Sequence, residues 1–158
     1  MERSQSRLSI LVVDDCKDAC ETMGLVIASK FPDVTVYKAS NGRIGLDLFK
    51  EHMPDIVITD INMPEMDGVQ MATKIKSMRN DAHFIVLTAN SDEELLDKFG
   101  EIGYEDFIIK PVVFNRLLAA IGKCIAELGQ ESLSLIDTKR VLSHSKETSG
   151  GDPLKQAV

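Results

Sequence analysis

The chain has 158 residues, enough for one domain with a single core and too few for two ordinary ones. It is 44% hydrophobic and 27% charged with a net charge of -7, an ordinary globular mix whose sign argues against direct nucleic-acid binding. No apolar run approaches the ~20 residues of a membrane span, and Met1 to Arg7 leads to only a brief apolar stretch before Asp14, unlike a signal peptide, so the expected compartment is the cytoplasm.

Ser9 to Val13 is apolar without alternation and reads as a first strand, with Asp14 and Asp15 at its exit. Asp18 to Phe31 follows with Met23, Val26, Ile27 and Phe31 at helical spacing. Cys16 and Cys20, one helical turn apart, have no third metal ligand beside them; with Cys124 they are expected to be reduced, packed thiols. A second strand is expected over Val34 to Lys38, then a helix over Asn41 to His52 carrying Ile44, Leu48 and Phe49. The third strand, Asp55 to Thr59, runs into Asp60 and a turn reading Ile61-Asn62-Met63-Pro64-Glu65-Met66-Asp67-Gly68. Gly68 to Arg79 reads as a helix whose Met71 and Met78 are core filler. His83 to Thr88 and Asp106 to Ile109 complete the strands. Asp92 to Ile102, with Leu95, Leu96 and Phe99, and Val113 to Leu128, with Leu117, Leu118, Ile121 and Ile125, complete the helices.

Five strands in strict alternation with five helices imply an α/β fold built from βαβ units around a parallel sheet. The expected organisation is an N-terminal tail over 1–7, one domain over 8–129, and a tail or linker over 130–158. In the last, Glu131 to Leu142 reads as a short, weakly amphipathic helix and the residues from His144 onward as disorder.

Ligands of open α/β sheets bind outside the carboxyl ends of the strands. The polar residues expected there are Asp14 and Asp15, Asp60, Thr88 and Lys110. An N-cap role on the first helix would account for one of the paired aspartates, not both. Three carboxylates in one cleft repel one another by about 4 kcal/mol per pair at ~4 Å and an effective dielectric of ~20. A hard divalent ion such as Mg²⁺ relieves this while leaving coordination positions for water and phosphate. Lys110 adds a point charge for a phosphate oxygen, and the Thr88 hydroxyl and the Ala89 backbone N–H add donors. The sum is a Mg²⁺-assisted phosphoryl site with a carboxylate nucleophile.

Asp14-Asp15, Asp60 with Asn62-Met63-Pro64-Glu65-Met66-Asp67-Gly68, Thr88-Ala89 and Lys110-Pro111 together resemble the receiver domain of two-component response regulators, in particular the chemotaxis-type single-domain members. The resemblance covers about residues 8–129 and implies the flavodoxin-like receiver fold, a doubly wound five-stranded sheet in the order 2-1-3-4-5. It implies Asp60 as phosphoacceptor for a phosphohistidine on a sensor histidine kinase or phosphotransfer protein. Asp14, Asp15, Asp60 and the Asn62 carbonyl would form the Mg²⁺ site, and Lys110, aimed by Pro111 at a position where the family often has a cis bond, would pair with the phosphoryl group. Thr88 and Phe107 would act as a switch pair, with Asn62 and Asn90 bordering the path of the hydrolytic water. The implied protein is not an enzyme but a stoichiometric phosphoacceptor, monomeric or dimerising on phosphorylation. Its output partner would dock on the face of the fourth helix, fifth strand and fifth helix.

Two other readings fit less well. A haloacid dehalogenase-type phosphatase needs an acid/base Asp two residues beyond its nucleophile, where this chain has Asn62. A flavodoxin-like cofactor site needs a phosphate loop where Asp14 and Asp15 would repel the phosphate. A phosphorylation-independent adaptor of the same fold remains the alternative, as does a role as the N-terminal piece of a longer regulator or hybrid kinase.

Overall fold

The computed structural model describes residues 7–129. Strands β1 (Ser9–Val13), β2 (Thr35–Ala39), β3 (Ile56–Asp60), β4 (His83–Thr88) and β5 (Asp106–Ile109) alternate with helices α1 (Lys17–Lys30), α2 (Gly42–His52), α3 (Gly68–Met78), α4 (Glu93–Ile102) and α5, a helical run over 114–129. The five strands form one parallel sheet in the order β2-β1-β3-β4-β5, as expected. The chain divides into two units, 1–122 and 123–158; of the second, only residues 123–129 are described, and they are helical. The readings made for Glu131 to Leu142 and for the residues from His144 onward lie outside the described residues.

Several element ends shift by one residue. β2 starts at Thr35 and takes in Ala39, because Asp14 N–H donates to the Ala39 carbonyl and prolongs the ladder (3.1 Å). β3 runs over Ile56–Asp60, so Asp60 is its last residue and not the residue after it. Asn41 is the cap of α2, not its first turn: its side chain accepts from Ile44 N–H (2.8 Å). A 3₁₀ turn, Asn90–Asp92, precedes α4.

β1, β3 and β4 are buried along their lengths, as continuous apolar strands covered on both faces should be. On one face Leu11, Val13, Val57, Phe84 and Val86 cluster with Phe49, Met71, Ala72, Ile75 and Phe99 from the helices. On the other, Ile10, Val12, Ile56, Ile58 and Ile85 are equally buried, and Cys20 of α1 sits against the sheet with Sγ donating to the Val12 and Ala39 carbonyls. Cys20 and Cys124 are packed thiols, but Cys16 is exposed, because it lies in the turn beyond Asp14 and not on the inner side of α1.

At the amino ends of the strands Arg79 gathers the chain, donating to the Met53 and Pro54 carbonyls and pairing with Asp55 and Asp81. At the opposite rim the turn after β3 enters α3 through a capping box: Asp67 Oδ1 accepts from Gln70 N–H (2.8 Å) while Gln70 Oε1 accepts from Asp67 N–H (3.0 Å). Asp67→Ala is expected to lower the unfolding free energy by about 1 kcal/mol in urea titrations, the usual cost of losing such a cap.

Candidate functional site

The exits of β1, β3 and β5 bring four charged side chains together. Asp60, 5% exposed, ends β3; Asp14, 1% exposed, follows β1; Asp15 beside it is exposed. One carboxylate oxygen from each of the three lies within 4.8 Å of the others. Lys110, the residue after β5, reaches across with Nζ 2.9 Å from Asp60 Oδ2 and 3.7 Å from Asp14 Oδ2. The Lys110–Pro111 peptide bond is cis, as the resemblance implied.

Asp14 is held from both sides. Its N–H bonds the β2 carbonyl noted above, and its Oδ1 accepts from Cys16 N–H (2.9 Å). The N-cap role considered for the paired aspartates is not what is found: Cys16 is the α1 cap residue and makes no side-chain cap bond. Asp14 instead closes the turn that carries Asp15 outward.

One ammonium cannot neutralise three carboxylates. The Asp60 carboxyl is raised to about 6: burial pushes it up, the Lys110 hydrogen bond and charge pull it down, and Asp14 and Asp15 push it up. Desolvation opposes charge on Lys110, but Asp60, then Asp14 and Asp15, hold its pKa above the ordinary value. The surplus negative charge, carried on hard oxygen donors, fits a divalent cation such as Mg²⁺.

The carboxyl end of β4 lies in the same rim, next to β3 and β5. Thr88 is buried and its Oγ1 donates to the Ala89 carbonyl (3.1 Å). The Ala89 N–H, expected to be an open donor, is instead taken by Asp92 Oδ2 at 2.9 Å. Asp92, expected at the start of the fourth helix, makes a contact with this strand end that residue order does not show. The available signal was an acid three residues after Ala89, the spacing of a reciprocal turn.

Phe107 is 36% exposed and turned outward, edge to face with Tyr104 at a centroid distance of 6.0 Å. Asn62 and Asn90 are both exposed, each two residues beyond Asp60 and Thr88 respectively. Arg116 forms a bidentate pair with Asp106 and also donates to the Phe107 carbonyl.

Residues 10–122 match the family model of the response regulator receiver domain. The chain belongs to that family. Chemotaxis protein CheY of Bacillus subtilis (strain 168) is 34% identical to this receiver over 116 residues, 73% of this chain and 96% of that one. Transcriptional regulatory protein PrrA of Mycobacterium tuberculosis (strain ATCC 25618 / H37Rv) is 32% identical over 131 residues. That match covers 82% of this chain and 54% of PrrA, so the receiver spans about half of that longer relative. Among solved structures, the N-terminal domain of an uncharacterized protein from Wolinella succinogenes superposes with a TM-score of 0.72 at 35% identity, covering 78% of this chain and 98% of that one. A receiver domain protein from Clostridium thermocellum gives 0.72 at 27% identity, with the same coverage. Receivers are signalling components of two-component systems that work with histidine kinases and output proteins, and are not classical enzymes. Among the described residues, no helix of this one is long and apolar enough to cross a membrane.

Proposed function

We propose that this receiver is a phospho-switch in which Asp60 accepts a phosphoryl group from the phosphohistidine of a sensor kinase or phosphotransfer protein. The observation that carries the reading is the Asp60–Lys110 contact inside the three-carboxylate cluster: a nearly buried carboxylate at a strand end, with one cation in reach and two acids beside it. An Asp60 oxygen attacks phosphorus, the P–N bond to imidazole breaks, and the leaving nitrogen takes a proton from solvent. The product is an acyl phosphate on Asp60. Asp14, Asp15, Asp60 and the Asn62 carbonyl would hold Mg²⁺, which when bound neutralises charge on the transferred oxygens. Lys110 moves from the Asp60 carboxylate to a phosphoryl oxygen, a displacement within one side chain's reach.

The Thr88 hydroxyl and Ala89 N–H are the further donors to the phosphoryl group. Thr88 moving toward it would leave space for Phe107, whose ring stands outward in the unphosphorylated chain. The surface that changes is the α4–β5–α5 face, where Phe107, Ile109, Val113 and Phe114 are exposed beside the acidic Glu93, Glu94, Asp97 and Glu101. An output protein, or a second copy on phosphorylation, would dock there. The functional unit is taken as 8–129, in keeping with the family match over 10–122, with 130–158 a tail or linker.

Incubation with acetyl phosphate tests the reading by intact-protein mass. One phosphoryl adduct with Mg²⁺, absent with EDTA and absent in Asp60→Asn, is expected. A folded wild type that acquires no adduct and binds no beryllofluoride would leave the phosphorylation-independent adaptor in its place.

A further inference from the structure

Asp92 occupies the N-cap position of α4, yet its side chain caps nothing in that helix. An Asp at this position ordinarily accepts from the second or third helical N–H, here Glu94 or Leu95. Its carboxylate is turned back instead onto Ala89 N–H (2.9 Å), while its own N–H donates to the Ala89 carbonyl (3.0 Å). The Thr88 hydroxyl donates to that same carbonyl (3.1 Å). Both donors at the carboxyl end of β4 are therefore satisfied within the five residues from Thr88 to Asp92, and Asp92, 8% exposed, closes the turn.

Resting on the phospho-switch reading above, we infer that Asp92 is a two-position latch: it holds Ala89 N–H until a phosphoryl oxygen displaces it, and then caps α4. A single N–H has one good acceptor at a time, so phosphoryl binding at Ala89 must break the Asp92 bond. The released carboxylate has an alternative within its own helix, the first-turn amides of α4, to which an N-cap side chain ordinarily bonds. Occupancy of the site is thereby tied to the order of the α4 amino terminus. Asp92 is a positioning residue, since it touches neither the reacting oxygen nor the cation ligands.

The test is beryllofluoride titration in the presence of Mg²⁺ for the wild type, Asp92→Ala and Asp92→Asn, with amide hydrogen exchange at Ala89 and Leu95. Removing a charge-assisted competitor is expected to tighten beryllofluoride about ten-fold in Asp92→Ala. Asp92→Asn, which keeps a neutral acceptor, should fall between. In the wild type, beryllofluoride should increase protection at Leu95 N–H, and in Asp92→Ala it should not. Unchanged or weaker binding in both variants would overturn the latch, as would equal gains in the two, which would mean that only the charge matters. A wild type that binds no beryllofluoride would instead defeat the phospho-switch reading, and the latch with it. Should the Ala variant not fold, the Asn variant alone decides, by a gain or its absence.

Discussion

In urea at pH 7 without metal, Asp60→Asn is expected to be about 2 kcal/mol more stable than the wild type, although it removes the proposed phosphoacceptor. The sign follows from the direction in which burial moves the carboxyl. Asp60 titrates at about 6 when folded, against ~3.9 in an unfolded chain. Between those values the folded protein binds the extra proton, so the Asp60 contribution to stability is fully present below the unfolded value and is lost as pH rises through about 6. Each pH unit of separation is worth about 1.4 kcal/mol, and the Asp60 side chain is only 7% exposed, so water does little to screen it. Loss of the charged partner of Lys110 offsets part of the gain, which leaves about 2 kcal/mol. The advantage of the Asn variant should vanish below about pH 4, as the wild-type carboxyl becomes protonated in both states. Added Mg²⁺ should raise the melting temperature of the wild type and leave that of the variant nearly unchanged. An Asn variant less stable at every pH would mean that the Lys110 pair outweighs burial and that the site is not electrostatically strained.

Gly68→Ala should damage both the fold and the chemistry, because the strand that carries Asp60 has no room behind it. A Cβ at this position would lie 2.6 Å from the Asp60 carbonyl and 3.1 Å from Ile61 Cα. Neither atom can yield alone: Asp60 is in the sheet, Ile61 N–H bonds the Leu87 carbonyl (2.9 Å), and Gly68 N–H bonds the Ile61 carbonyl (2.9 Å). Overpacking of this kind costs about 1–3 kcal/mol. A shift of even part of an ångström in the Asp60 backbone moves the nucleophile, and misplacement by ~1 Å can cost about 100-fold in rate. The expected result is a stability loss in that range together with phosphorylation by acetyl phosphate slowed at least ten-fold. Gly100→Ala is the control: open space surrounds it within α4, and the exchange should stabilise by up to ~1 kcal/mol with phosphorylation unchanged. Normal phosphorylation in Gly68→Ala would show that the turn after β3 does not position Asp60.

The parts of this protein legible from residue order alone were those set by patterns that extend over several positions. Ile10 to Val13 and Phe84 to Leu87 are apolar without interruption because both faces of the sheet are covered, and this signal survives any small error in register. Asp14, Asp60 and Lys110 were also legible, since a parallel sheet delivers every strand exit to one rim and the charges were the residues at those exits. Illegible were contacts decided by single rotamers and close approaches. Asp92 has two competing uses for its carboxylate, one three residues before it and one in the helix after it, and nothing in the order of residues says which one wins. The approach of Gly68 to the Asp60 carbonyl depends on how the turn folds back, through Glu65 at a φ of 71°, a conformation its residue type does not announce. The exposure of Cys16 turns on the bond from its amide to Asp14, which ends the first turn before the helix begins.

The most direct test of the central claim is to locate the phosphorylated residue chemically. Borohydride reduces an acyl phosphate to the alcohol, so that reduction of the phosphorylated receiver followed by peptide mass spectrometry reads the acceptor as homoserine. Homoserine at position 60, and at no other aspartate, is the predicted result. Homoserine at position 14 or 15, or an adduct that resists reduction because it is not an acyl phosphate, would contradict the assignment of Asp60 as the nucleophile.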